Sequence, residues 1–313
     1  MGTSFPLILQ YLPELAARRN ISRVGPTPKS LILDLLSTLR PPAVMPVRAM
    51  VAAGELFALD GNAMRVALAR LVAKRLVESD ERGAYRLGVA AASISAHVKS
   101  WRTADERLRV WDASWIAVYT ASVPRSDRAR HRAGERALRF LGFRTLERGL
   151  AVRPNNLVDG TDGSRARLHG LGLDPAALVF TLRDLSESDD ARARKLWEVD
   201  ELQAGYRVML ERLERSGARL ARLSDERAMI ESFHTGGEAI RLIVLDPLLP
   251  EVISPVRARK ELVKAMRLYD ELGRARWAPF LKSHGAPHRS APHDGRAIEP
   301  ASPASVLAAG ESM

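Results

Sequence analysis

Within DGNAMRVALARLVAKRL, residues 60–76, two kinds of side chain repeat at helical spacing. Met64, Leu68, Leu71, Val72 and Leu76 make an apolar stripe, while Arg65, Arg70, Lys74 and Arg75 project from its flanks. Asn62 and Arg65 fall in the first turns. There an amide can pair bidentately with adenine and a guanidinium with guanine, each discriminating by ~1–3 kcal/mol. Arg70, Lys74 and Arg75 lie farther along, where cations neutralise phosphates with an affinity that falls as salt rises. Val66 and Ala69, between them, can touch thymine methyls but donate no hydrogen bond. A basic flank that is merely solvated has the same residue content, so the surrounding elements must decide.

Those elements begin at 28, where PKSLILDLLSTL places Leu31, Leu35 and Leu39 on one side with Ile32 and Leu36 alongside. RPP at 40–42 stops this helix. PVRAMVAAGELF reads as a second helix opening at Pro46, and Asp60 is the candidate N-cap of the third. ESDERGAYRLG then has the alternation and the Gly83 turn of a small hairpin. Three helices followed by a hairpin is the order of a winged helix-turn-helix, whose third helix enters the major groove. That frame makes Arg82 and Arg86 on the hairpin, and Arg48 at the start of the second helix, candidate backbone contacts, although Asp80 and Glu81 oppose the hairpin pair.

The chain has 313 residues, a formal charge of +11 and no cysteine. Its length accommodates two or three domains. The missing thiols exclude thiolate catalysis and Cys-ligated metals, and fit a reducing compartment, so a cytoplasmic protein is expected. No apolar run approaches the ~20 residues of a membrane span, and no secretory signal precedes the fold. Arginine far outnumbers lysine in an alanine-rich chain, so where the charge sits matters more than its sum.

Residues 1–27 read as an N-terminal extension, 28–92 as the DNA-binding domain and 93–110 as a polar connecting helix. From 111 to 185 the pattern is β-α-β-β-α-β, a ferredoxin-like unit. Residues 186–282 are helical, with Leu196, Val199, Leu202, Tyr206, Leu210 and Leu213 as the seam of one helix of about seven turns. Residues 283–313, rich in Pro, Ser, Gly and His, read as a disordered tail. The fold class is therefore α+β, mostly α.

Four stretches carry a resemblance: MRVALARL at 64–71, WDASWIAV at 111–118, LGFRTLERGLAVRP at 141–154, and IESFHTGGEAIRLIVLDPLLPEVISP at 230–255. In order and spacing they resemble the PaaX family of bacterial repressors of aromatic-acid catabolism, over approximately residues 28–275, with LDPLLPEVISP the most specific. The resemblance implies a winged-helix domain, a middle domain similar to that of CRISPR-adaptation nucleases, and an α-helical C-terminal domain. It also implies a homodimer on an operator of double-stranded DNA, released by an aryl-CoA or other acyl-CoA thioester, typically phenylacetyl-CoA. This chain departs from the family in having PPAVMP before the second helix, a shorter hairpin, and Val66 and Ala69 where hydroxylated residues are usual.

The densest charge lies elsewhere. Between Ser122 and Arg153 there are nine arginines against Asp127, Glu135 and Glu147, a net of +6, and Arg128, Arg132 and Arg136 follow helical spacing. Such a stripe can hold the phosphates of a CoA ester or further DNA backbone, or can be a solvated helix face. Catalytic constellations are absent from the sequence. Glu231 and His234 form a single E-x-x-H, whereas a di-iron site needs a second copy. Strand WIAVYT ends in Tyr119 and Thr120 instead of a metal-binding carboxylate. Asp246 and the leucines of VLDPLLPEV read as a packing element between helices, with the lining of an effector pocket as the alternative. The expectation is a regulator with no catalytic residue, cofactor or metal; the alternative is an enzyme acting on acyl-CoA or nucleic acid, with the winged helix as its docking module.

Overall fold

A computed structural model describes residues 25–39, 43–80, 82–123 and 127–287. It is α+β and mostly helical, with two small antiparallel sheets. The first helix, α1 (Pro28–Ser37), starts where Thr27 and Ser30 satisfy each other's backbone N–H groups, and it buries Leu31, Ile32, Leu35 and Leu36. Strand β1 (Met45–Pro46) leads directly into α2 (Val47–Leu56). Pro46, expected as the first helical residue, is instead the cap, because its extended backbone also pairs with Ala84 in the sheet. Asp60 caps α3 (Gly61–Ala73) as expected, its carboxylate accepting from the Ala63 N–H at 2.8 Å. Gly54 lets α2 and α3 approach closely, since a Cβ there would sit 2.9 Å from Met64 Cγ.

The hairpin follows. Strands β2 (Val77–Ser79) and β3 (Ala84–Leu87) pair antiparallel, and β1 completes a sheet of order β1-β3-β2. Asp80 closes the turn by accepting from the N–H groups of Arg82 at 2.9 Å and Ala84 at 2.8 Å. Ile32, Leu36, Met45, Met50, Met64 and Leu71 form the core of this first unit. Each such burial stabilises by ~1.5–3 kcal/mol relative to exposure.

The expected connecting helix begins earlier and ends sooner: α4 spans Val89–Lys99, and two 3-10 turns, Ser100–Thr103 and Asp105–Arg107, take the place of its second half. A four-stranded sheet then forms from β4 (Trp115–Tyr119), β5 (Arg144–Glu147), β6 (Leu150–Pro154) and β7 (Leu178–Leu182), in the order β5-β6-β4-β7. Helices α5 (Arg128–Phe140) and α6 (Gly160–Gly170) lie between its strands in sequence and cover Ile116 and Val118 on one face. Trp197, Ala193 and Leu249 cover Trp115, Ala117 and Val152 on the other. Both faces being buried explains why WIAV is continuously apolar.

The expected seven-turn helix is broken in two, α7 (Glu187–Arg194) and α8 (Val199–Leu220). Between them Trp197 turns inward onto the sheet, its indole N–H donating to the Gly142 carbonyl at 3.1 Å. Helices α8, α9 (Asp225–Val244) and α10 (Arg257–Ser283) pack together around Tyr206, Leu213, Ile243, Leu262, Met266 and Tyr269. The loop after α9 ties the units together, with Leu248 buried in this core and Leu249 in the core under the sheet.

The end of α10 returns to the first unit. Trp277, Phe280, Leu281 and Ala286 pack on the α1–α3 core. Order therefore continues past the expected boundary at 282, because Ala286 is 5% exposed and the apolar end of α10 has a surface to bury. The rest of the expected tail, from 288, and residues 1–24 of the N-terminal extension lie outside the described residues. Among the described residues no helix is long and apolar enough to cross a membrane.

Candidate nucleic-acid interface

Helix α3 has two faces of opposite character. Met64, Leu68 and Leu71 are buried in the core, which fixes the rotation of the helix. Asn62, Arg65, Val66, Ala69 and Arg70 consequently point outward, and Lys74 and Arg75 are exposed in the turn that follows. Val66 is 42% exposed, an apolar side chain with no protein surface to cover it. Among the described residues no ion pair engages Arg65, Arg70, Lys74 or Arg75. Arg75 adopts a φ of 55°, which turns the chain sharply from α3 into β2. The capped helix thus offers an amide, two arginines and a methyl-bearing surface, with two more cations in the turn after it, and among the described residues no carboxylate pairs with these cations.

The other candidates are held differently. Arg86 pairs with Glu78 across the hairpin at 3.2 Å, while Arg82 stands exposed beside the turn. Arg48 is exposed at the start of α2, but its Nε donates to the His284 carbonyl at 2.9 Å, so the end of α10 engages it. Sequence reasoning missed this contact, whose partners are 236 residues apart.

The arginine stripe lies on α5, away from the first core. Arg128 and Arg132 are exposed and Arg136 is half-buried, with its Nε buried and without a partner. Burial, then the neighbouring Arg132 and Arg139, lowers the Arg136 pKa below the usual guanidinium range against the opposing effect of Glu135. Glu231 and His234 do not converge. The carboxylate accepts from Ser216 at 2.7 Å and pairs with Arg219, while the imidazole packs edge-on against Phe57. Asp246 is buried and accepts from Tyr206 Oη and the Leu248 N–H, both at 2.6 Å.

No family model and no curated protein matches the chain. In fold it is similar to the uncharacterized protein Rv0674 from Mycobacterium tuberculosis, at 20% identity and a TM-score of 0.51, over 80% of this chain and 98% of that one.

Proposed function

We propose that the chain is a DNA-binding transcriptional regulator of the PaaX type, a repressor acting as a homodimer. In this reading residues 28–92 are its winged helix-turn-helix, 111–185 a ferredoxin-like domain and 186–282 an α-helical effector-sensing domain. The observation that carries it is the outer face of α3, where Asn62, Arg65 and Val66 stand exposed beside cations that no carboxylate pairs with among the described residues. The element order α1-β1-α2-α3-β2-β3 and the sheet order β1-β3-β2 support the same reading, since a third helix backed by two others and flanked by a hairpin can be laid into a major groove. Asn62 and Arg65 read base edges, Val66 and Ala69 meet thymine methyls, and Arg70, Lys74 and Arg75 bind phosphates.

In a two-fold dimer the α3 helices reach half-sites ~34–36 Å apart or a multiple of that spacing. An acyl-CoA thioester such as phenylacetyl-CoA, favouring the arrangement with the wrong spacing, weakens operator binding by the coupling energy with which DNA weakens the effector. Arg128, Arg132 and Arg136 are candidate contacts for its phosphates.

A gel shift with the promoter region of the chain's own gene, at two salt concentrations and with phenylacetyl-CoA added, tests this. Sequence-selective binding that falls with salt and is reversed by the thioester is expected. Equal binding to promoter and unrelated DNA would contradict it.

A further inference from the structure

Between the four-stranded sheet and the helical unit lies a small cavity lined by His97, Ser100, Arg107, Arg153, Ser164 and Arg167. These residues come from α4, the 3-10 turns after it, β6 and α6, segments that no short motif links. Arg153 is 4% exposed, and among the described residues no ion pair engages it. Among the described residues its guanidinium donates to the carbonyls of Pro154 at 3.4 Å, Leu141 at 2.5 Å and Pro247 at 3.2 Å. Arg107 donates to Ser100 Oγ at 2.9 Å and is likewise in no ion pair among the described residues. Arg167 pairs with Asp159 and donates to Ser164, yet its Nε is buried with no partner.

Three guanidinium groups thus line one cavity, where Asp159 pairs directly with Arg167 and, from farther off, Asp159 and Asp246 offset only part of the remaining charge, which an anion would complete. Burial, then Arg167 and Arg107, pushes the Arg153 pKa down to about 9. Burial, then Arg107 and Arg167, pushes His97 down to about 4, so at neutral pH the imidazole adds no charge. Asp246 lines the same cavity and, with Asp159, offsets part of the Arg153 charge, while Tyr206, the Leu248 N–H and Arg259, 3.8 Å away, engage it directly.

We propose that Arg107, Arg153 and Arg167 form a seat for a phosphate-class oxyanion at the junction of the sheet and the helical unit. The closed interior, about 20 Å³, holds roughly one water. That space is too small for a phosphate group, so the oxyanion takes its hydrogen bonds from the partly exposed Arg107 and Arg167, while the buried Arg153 adds charge. The seat touches α4, β6, α6 and the loop after α9, so filling it favours one arrangement of the units over others. Only that regulatory consequence rests on the function proposed above.

Isothermal titration of the full chain with inorganic phosphate and, separately, with CoA tests the seat at constant ionic strength. Saturable binding is expected, weakened about tenfold or more by Arg107→Gln and by Arg167→Gln, less by Arg107→Lys, and unchanged by Arg192→Ala on the surface. Circular dichroism confirms that each variant is folded, and Arg107→Gln, which gives up one hydrogen bond at a half-buried site, keeps the test available if Arg167→Gln unfolds. Tighter binding of CoA than of phosphate assigns the site to a phosphate carried by a larger ligand, and equal affinity assigns it to the free ion. No saturable binding by the wild type, or Arg107→Gln binding as the wild type does, overturns the proposal. So does CoA binding that survives Arg107→Gln but is lost in Arg132→Ala. Operator binding is measured separately, and its failure would remove the regulatory reading while leaving the phosphate result intact.

Discussion

Several arginines around the helical unit and those of α3 are used in opposite ways. Around α8–α10, Arg212 meets Glu238, Arg219 meets Glu231, Arg102 and Arg274 share Asp270, and Arg257 meets Glu261. Their charge is consumed in holding helices to one another or to their own turns. On α3, no carboxylate engages Arg65, Arg70, Lys74 or Arg75 among the described residues. A net charge of +11 therefore says little until each cation has been traced to its partner. Arg207, Arg222 and Arg227 on the helical unit are also exposed and in no ion pair among the described residues, so such a cation is a candidate contact only where several share one face.

The contrast can be broken at either end. Asp246→Ala leaves Arg259 buried without its carboxylate and removes the acceptor of Tyr206 Oη, so the helical unit loses ~3–5 kcal/mol of unfolding free energy in urea denaturation. Arg65→Ala leaves the melting temperature unchanged and costs ~1–3 kcal/mol of promoter affinity in a fluorescence-anisotropy titration. Asp60→Ala removes the α3 cap and lowers thermal stability by about 1 kcal/mol, which calorimetry reads directly. Lys74→Ala changes affinity modestly but reduces the slope of log K against log salt by about 1. Arg86→Ala, where Glu78 already holds the guanidinium, changes promoter affinity by less than about 0.5 kcal/mol. A loss in Arg86→Ala as large as in Arg65→Ala would erase the distinction between paired and unpaired cations.

Much of this architecture was legible from periodicity. The α1 and α3 stripes, the Asp60 cap, the Gly83 hairpin and the alternating strands and helices of 111–185 all have local signals, because each element buries one face at a fixed repeat. Strand β1 has two residues, too few to show any period. The break between α7 and α8 hides inside an unbroken apolar seam, since Leu196, Val199 and Leu202 pack on the same core under the sheet as Trp197, so the repeat runs through the break without a signal. The return of α10 to the first unit and the Arg107–Arg153–Arg167 cluster depend on segments far apart in the chain, and composition carries no record of them. The α3 face was readable residue by residue; that its cations meet no carboxylate among the described residues required the fold.

The most direct measurement is an anisotropy titration of a labelled promoter fragment with wild type and Arg65→Ala, each in the presence of excess unrelated DNA. Tight, competitor-resistant binding by the wild type is expected, with a loss of about fivefold or more in the variant and identical melting curves. Wild-type binding that unrelated DNA abolishes, or two superimposable isotherms, would contradict the assignment of α3 as the element that reads sequence.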